Sequence, residues 1–226
     1  MSAPPQGSGR ADLRGLVIFT SSQNWTVPAG VHRIKFLAIG GGGGGGGGYS
    51  STYVGGAGGS SQSVYAEVEV QPGTEFMINV GAGGSGGTGG SSPAWGGLGG
   101  DTYITYPTSS NLFLKSPGGG AGGAASSSAN GNAGSPQGIE NMMSGTEGNT
   151  SAVVVAGYAG PGQAGNGQTP GLVQVLLPTF SGTSNNYYGY PNAETNLSYG
   201  AGGLGGGVNE NGQPGIQGIV VIWWGD

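Results

Sequence analysis

The chain has 226 residues, of which 57 are glycine and none is cysteine; 7% are charged and the net charge is −5. Ordinary soluble domains carry about 25% charged residues and ~7% glycine, and the missing cysteines exclude a disulfide framework, a thiolate nucleophile and a cysteine-bound metal. Five basic residues, Arg10, Arg14, Arg33, Lys35 and Lys115, are too few and too scattered to track phosphates, so no nucleic-acid partner is expected.

Met1–Gly15 reads as a short N-terminal arm, with Pro4-Pro5 and two of the basic residues, that docks on another protein or stays disordered. It has no apolar stretch suited to a signal peptide, and no run of ~20 apolar residues appears anywhere, so membrane insertion is not expected. Residues 16–226 are read as one glycine-rich β domain. Its apolar clusters are rich in β-branched and aromatic residues and bounded by Gly and Pro, which predicts strands. In chain order these are Leu16–Thr20, Asn24–Val27, His32–Ile39, Val64–Val70, Phe76–Val80, Thr102–Tyr106, Leu112–Lys115, Val153–Ala156, Leu172–Leu177 and Gly218–Trp224.

In Val64–Val70 the alternation puts Val64, Ala66, Val68 and Val70 on one face and Tyr65, Glu67 and Glu69 on the other, so one face is buried. Gln71-Pro72-Gly73-Thr74 then reads as a turn with φ > 0 at Gly73, and Val64–Val70 with Phe76–Val80 is expected to form an antiparallel hairpin. The last strand is almost wholly apolar, which predicts cover on both faces or burial between subunits. Trp223 and Trp224 fall on opposite faces, one in the core and the other a candidate subunit contact.

Between the strands lie Gly40–Gly48, Gly55–Gly59, Gly81–Gly90, Gly118–Gly123 and Gly200–Gly207. Gly83-Gly84-Ser85-Gly86-Gly87-Thr88-Gly89-Gly90 carries a side chain at every third residue, the period of a polyproline II rod. Such a rod has no internal hydrogen bonds, so buried tracts must pair with one another through closely approaching backbones. The alternative is flexible linkers. The fold expected is all-β: an antiparallel β-sandwich or jelly-roll-like scaffold with polyglycine tracts and long loops at Ser91–Leu98, Pro107–Ser110, Ala124–Thr150, Tyr158–Pro170 and Pro178–Tyr199.

Catalytic chemistry finds little support in the residues. The many G-x-G-x-x-G matches lack the helix N-terminus that phosphate binding needs. His32 is the single histidine, without the partners of a triad or histidine metal site. Glu67 and Glu69 lie side by side on one strand face, unlike carboxylates that flank a scissile glycosidic bond; Asp101, Glu140 or Glu194 could still meet another carboxylate on folding, so a polysaccharide hydrolase is a minor alternative. No cofactor or metal is expected. Loop aromatics are the better candidates: Tyr49, Tyr53, Trp95, Tyr187, Tyr188 and Tyr190, with Asn185, could stack on sugars or pack on a protein. They could equally plug gaps between glycine rods.

Asn24-Trp25-Thr26-Val27-Pro28-Ala29-Gly30-Val31, the strand Arg33–Ile39 with its glycine run, Pro72-Gly73-Thr74, Ile78-Asn79-Val80-Gly81-Ala82-Gly83-Gly84, Gly99-Gly100-Asp101-Thr102 and Gly218-Ile219-Val220-Val221-Ile222-Trp223 occur in this order. The series resembles the glycine-rich domain of bacteriophage and prophage tail-fiber proteins from about residue 19 onward. The resemblance implies a non-enzymatic virion protein, most readily a tail-fiber or tip adhesin whose loops bind a host surface glycan or outer-membrane protein. A purely structural fiber, neck or capsid-decoration subunit bound to other virion proteins is the alternative. It also implies a homotrimer. The long insertions Ala124–Thr150 and Pro178–Tyr199 depart from the family pattern.

Overall fold

The computed structural model describes residues 14–61, 63–106, 112–134, 153–156 and 199–225; for Ser63, Leu112, Phe113 and 153–156 it describes the backbone path alone. Among the described residues there is no α-helix, as the glycine content dictates. Among the described residues nine strands form: β1 Gly15–Phe19, β2 Gln23–Thr26, β3 Arg33–Ile39, β4 Ser63–Glu69, β5 Glu75–Asn79, β6 Thr102–Thr105, β7 Leu112–Ser116, β8 Val153–Ala156 and β9 Ile219–Trp224. Each lies on an expected strand; the remaining expectation, Leu172–Leu177, falls outside the described residues. β1 starts within the segment read as an arm, because Gly15 pairs with Trp224.

Two antiparallel sheets result, a five-stranded one in the order β1-β9-β3-β4-β8 and a four-stranded one in the order β2-β5-β6-β7. They share one core. Phe36, Ile34, Ala66, Val64, Val220 and Ile222 from the first sheet meet Phe76, Ile78, Ile104 and Leu114 from the second. Phe76 is its aromatic hub, edge-on to Phe36 at 5.7 Å, stacked with Trp25 at 6.3 Å and tilted against Tyr106 at 5.2 Å.

The β4 alternation is as expected: Val64, Ala66 and Val68 are buried, while Glu67 and Glu69 point outward and both meet Arg33 at 3.5 Å. The hairpin does not form. β4 pairs with β3 and β8, whereas β5 pairs with β2 and β6, so the connection crosses between sheets. The turn itself is present, with Gly73 at φ 84° and Thr74 N–H donating to the Gln71 carbonyl at 3.1 Å. Val27 decides the outcome: its N–H donates to Thr74 and its carbonyl accepts from Gly73, so the turn is drawn onto the end of β2.

At Gly40 the chain leaves β3 and changes period. Consecutive N–H groups of Gly41–Gly48 point in three directions, and every third one reaches the same neighbour. Gly41, Gly44 and Gly47 donate to Gly100, Gly97 and Ala94; Gly42, Gly45 and Gly48 to Ile216, Gln213 and Glu210; Gly43 and Gly46 to Gly59 and Gly56, all at 2.8–2.9 Å. The carbonyls do the same toward three further segments, accepting from Gly119, Gly122 and Ala125, from Gly84, Gly87 and Gly90, and from Gly203 and Gly206. The tract is a threefold extended rod, none of its residues has positive φ, and its period is that of polyproline II.

Six segments, 82–90, 94–100, 117–125, 55–61, 200–207 and 210–217, therefore surround tract 40–48 in that order. Neighbours are bonded to each other around the ring, as Gly97 to Ser85, Gly99 to Gly119, Gly59 to Gly120, Gly58 to Gly203, Gln213 to Leu204 and Gly215 to Gly84. They alternate in direction: the acceptors of the central N–H groups run against it and the donors to its carbonyls run with it. Residues 131–134 lie outside the ring, bonded to Val54, Ala57 and Gly123. A side chain on the axis has nowhere to go; a Cβ on Gly44 would overlap the Ser85 carbonyl, a backbone atom that cannot swing aside.

The five glycine tracts read from the sequence are thus all in the bundle, together with 94–100, 210–217 and 131–134. Ser91–Leu98 is not a loop throughout, since only 91–93 turn and Ala94 begins a returning rod. Within Ala124–Thr150, likewise, 131–134 joins the bundle.

Candidate functional site

Three of the outgoing rods, 40–48, 82–90 and 117–125, follow directly on strands of the sandwich, and side chains there bridge the change of period. Ser116 Oγ accepts from Gly40 N–H, Thr102 Oγ1 from Gly81 N–H and Asp101 Oδ1 from Gly118 N–H, each at 2.9 Å. Asp101 is held in turn by Lys115 at 2.8 Å. These contacts act like helix N-caps, because they satisfy amides that have left the sheet ladder and not yet joined the bundle. The bundle is thereby fixed to the sandwich, and its free end lies at the opposite pole.

Among the described residues four turns close that free end. Residues 49–54 are pinned by Tyr49 N–H on the Tyr53 carbonyl at 2.8 Å. Gly90, at φ 124°, opens the turn through Ser91, Ser92 and Pro93. Ser126 holds 126–129 together, its N–H donating to the Ala129 carbonyl at 2.8 Å and its hydroxyl accepting from Ala129 N–H at 3.0 Å. Asn209, at φ 63°, turns Gly207 into Glu210, whose N–H donates back to Gly207.

The turns are also tied to one another. Tyr49 bridges Gly90 and accepts from Asn209 N–H at 3.0 Å; Val54 N–H donates to Asn130 Oδ1 at 3.0 Å, and Gly89 N–H to Asn211 Oδ1 at 2.8 Å. The result is one continuous polar cap, exposing Ser50, Ser51, Thr52, Ser91, Ser92, Ser126–Asn130, Asn209 and Glu210. It bears hydroxyls and amides with a single carboxylate and the exposed Val208, which suits recognition by hydrogen bonds and contact rather than long-range charge.

Three of the sequence candidates meet here. Tyr49 and Tyr53 are half-buried at the two ends of one turn, and Trp95 stands beside the cap, 66% exposed, on the second residue of a returning rod. Its exposure excludes a gap-filling role for that ring. Asn185, Tyr187, Tyr188 and Tyr190, with Glu140 and Glu194, lie outside the described residues. Sequence reasoning overlooked the serine-rich turn at 126–130 and the Asn209 turn as parts of the same surface. The regular glycines at 212, 215 and 218 are the signal that a rod precedes β9 and a turn precedes the rod.

The remaining candidates sit at the sandwich pole. Trp224 packs into the shared core against Trp25, ring centroids 5.9 Å apart. Trp223 faces the other side of the sheet in a cluster with Leu37, Ile39, Ile219 and Val221, tilted against Tyr65 at 5.8 Å, and its own chain already leaves it only 7% exposed. The Tyr65 hydroxyl is pushed above its usual pKa, first by burial, then by the charge of Glu67 and a hydrogen bond to it. His32 is exposed beside Arg33.

A search of curated proteins finds no match to the chain. Residues 18–225 match the family described as "Glycine-rich domain", a span that includes the sandwich, the bundle and the cap alike. The chain belongs to that glycine-rich domain family.

Proposed function

We propose that this chain is a non-enzymatic bacteriophage virion protein, a tail-fiber or tip adhesin that presents the polar cap to a receptor on the host surface, either a glycan or an outer-membrane protein. The observation that carries the reading is the gathering of four turns at the end of a rod remote from the β-sandwich. A backbone bundle with every axial amide bonded loses little entropy when its loops bind, because the loops are already held in place. Loops on a rigid scaffold are also free to vary, since the rods determine the fold. The resemblance to tail-fiber domains supplies the virion setting, and the reading involves no cofactor, nucleic acid or membrane insertion.

A structural subunit, in a fiber, neck or capsid lattice and bound to other virion proteins, is the second reading. It is favoured by β1, an edge strand among the described residues, whose Leu16 and Ile18 are 43% and 52% exposed; Ile18 extends the apolar row of Val221 and Leu37, and Leu16 lies opposite Trp223. Unguarded apolar edges of this kind mark contact surfaces. Homotrimerisation goes with either reading; light scattering is expected to give three times the 21.9 kDa chain mass, and a monodisperse monomer counts against it.

A cryo-electron microscopy map of the particle, with this chain located, separates the two. Density at the distal end of a tail appendage, cap outward, is expected for the adhesin. Density within the neck, shaft or capsid lattice assigns the structural role, and the absence of the chain from particles removes both.

A further inference from the structure

The outward positions of the bundle carry more than spacers. On rod 94–100 two of every three residues are glycines that abut the axis or the next rod, and the third points out. Those outward residues are Trp95 and Leu98, 66% and 65% exposed. Three residues of such a rod span about 9 Å, so the two form a ridge along the flank of the bundle. On the adjoining rod 82–90 the outward residues are Ala82, Ser85 and Thr88, all exposed, and the rods are locked together through Gly97 to Ser85 at 2.7 Å and Ala94 to Thr88 at 2.8 Å. An indole and a row of hydroxyls thus run side by side in fixed register.

The surroundings of Trp95 narrow its ligand. Gly96 and Gly97 follow it, Gly86 and Gly87 lie opposite on the next rod, and Gly96 N–H is bonded to Gly122 on the other side at 3.0 Å. No neighbouring side chain on these rods crowds the ring, and its backbone is held on both flanks, so a bulky flat ligand can stack at little entropic cost. From Gly81 to Gly100 there is no charged residue. Nucleic acid, which needs phosphate-neutralising cations, and anionic polymers find nothing to pair with here. Hydroxyl-bearing rings with an apolar face do, through stacking on the indole and hydrogen bonds to Ser85 and Thr88.

We infer that the Trp95–Leu98 flank, with the Ser85–Thr88 hydroxyl row, is a binding site for a neutral polysaccharide lying lengthwise along the bundle, Trp95 stacking on a sugar ring and Leu98 contacting the next stretch of chain. The inference rests on the adhesin reading and adds to it a receptor class and a second surface, distinct from the turns of the cap.

The test uses the full chain, fluorescently labelled, on an array printed with neutral and anionic bacterial glycans, alongside adsorption to a panel of bacterial strains. Binding confined to uncharged glycans is expected. Trp95→Ala should weaken it about tenfold, as loss of one aromatic stack does, and Ser85→Ala combined with Thr88→Ala should weaken it severalfold, with unchanged thermal melting in both variants. Leu204→Ala, an exposed residue on rod 200–207 across the ring from rod 94–100, should leave glycan binding intact. Binding to no glycan, to anionic glycans only, or undiminished in Trp95→Ala overturns the inference. If cells are still bound, the adhesin reading survives with a protein receptor where no glycan binds, or with another glycan or another surface where one does; if neither glycans nor cells are bound, both fail.

Discussion

Replacing Gly44 by alanine puts one methyl group on the axis of the bundle, against the backbone carbonyl of Ser85. The six surrounding rods are bonded to one another, so none can move aside alone. Forcing a methyl into a closed core costs about 1–3 kcal/mol. Displacing rod 82–90, which carries Ser85, also breaks its bonds to the axis on either side, from Gly84 N–H to Gly42 and from Gly87 N–H to Gly45, both 2.8 Å, at ~1 kcal/mol each. The sum is about 3–5 kcal/mol, a large share of the roughly 5–15 kcal/mol that holds a domain together. Denaturant unfolding should show it as a lowered midpoint. Gly73→Ala is the control, since its φ of 84° strains alanine but the space around it is empty, and it should cost only about 1–2 kcal/mol. A Gly44→Ala protein within about 0.5 kcal/mol of the original, the range of an ordinary surface change, would refute the closed ring of rods.

Ser116→Ala removes the buried acceptor of Gly40 N–H at the root of the central rod and should destabilise by about 1–3 kcal/mol, the cost of an orphaned buried donor, in the same denaturant titration. Tyr65 has a raised pKa in the fold, so the folded state keeps its proton where the unfolded chain has lost it. Stability is unaffected well below the ordinary value of 10.0 and falls as pH rises through that value toward the folded one; Tyr65→Phe should flatten this alkaline limb in thermal melts, and an unchanged limb contradicts the assignment.

Strand positions were legible because each apolar cluster has a length and composition that only a strand uses, and β4 shows its faces residue by residue. Pairing was less legible. Pro72-Gly73 specifies a turn, yet a turn does not say that its flanking strands are partners; the competition from Val27 is a tertiary contact invisible to local patterns. Polyglycine tracts were legible where glycine dominates a longer run and the third residue is small, as in 83–90. Rods 94–100 and 210–217 escaped because the side facing solvent admits any residue, and Trp95, Leu98, Gln213 and Pro214 disguise a period that only the glycines carry. Of the cap, Tyr49, Tyr53 and the loops from Ser91 and Ala124 were legible, whereas the Asn209 turn was not, and bringing Tyr49, Gly90, Asn130 and Asn209 together requires knowing the alternating directions of the rods.

The account rests on tract 40–48 being a rigid axle that sets those directions, and amide hydrogen exchange followed by NMR tests this most directly. Glycine tracts in a solvated linker exchange at coil rates, whereas a bonded, buried axle opens only with the domain. The amides of Gly41–Gly48 are predicted to exchange as slowly as those of Phe36 and Leu37 in β3. Exchange of these glycines at the rate of an unstructured peptide would contradict the bundle, and with it the fixed cap that the proposed function requires.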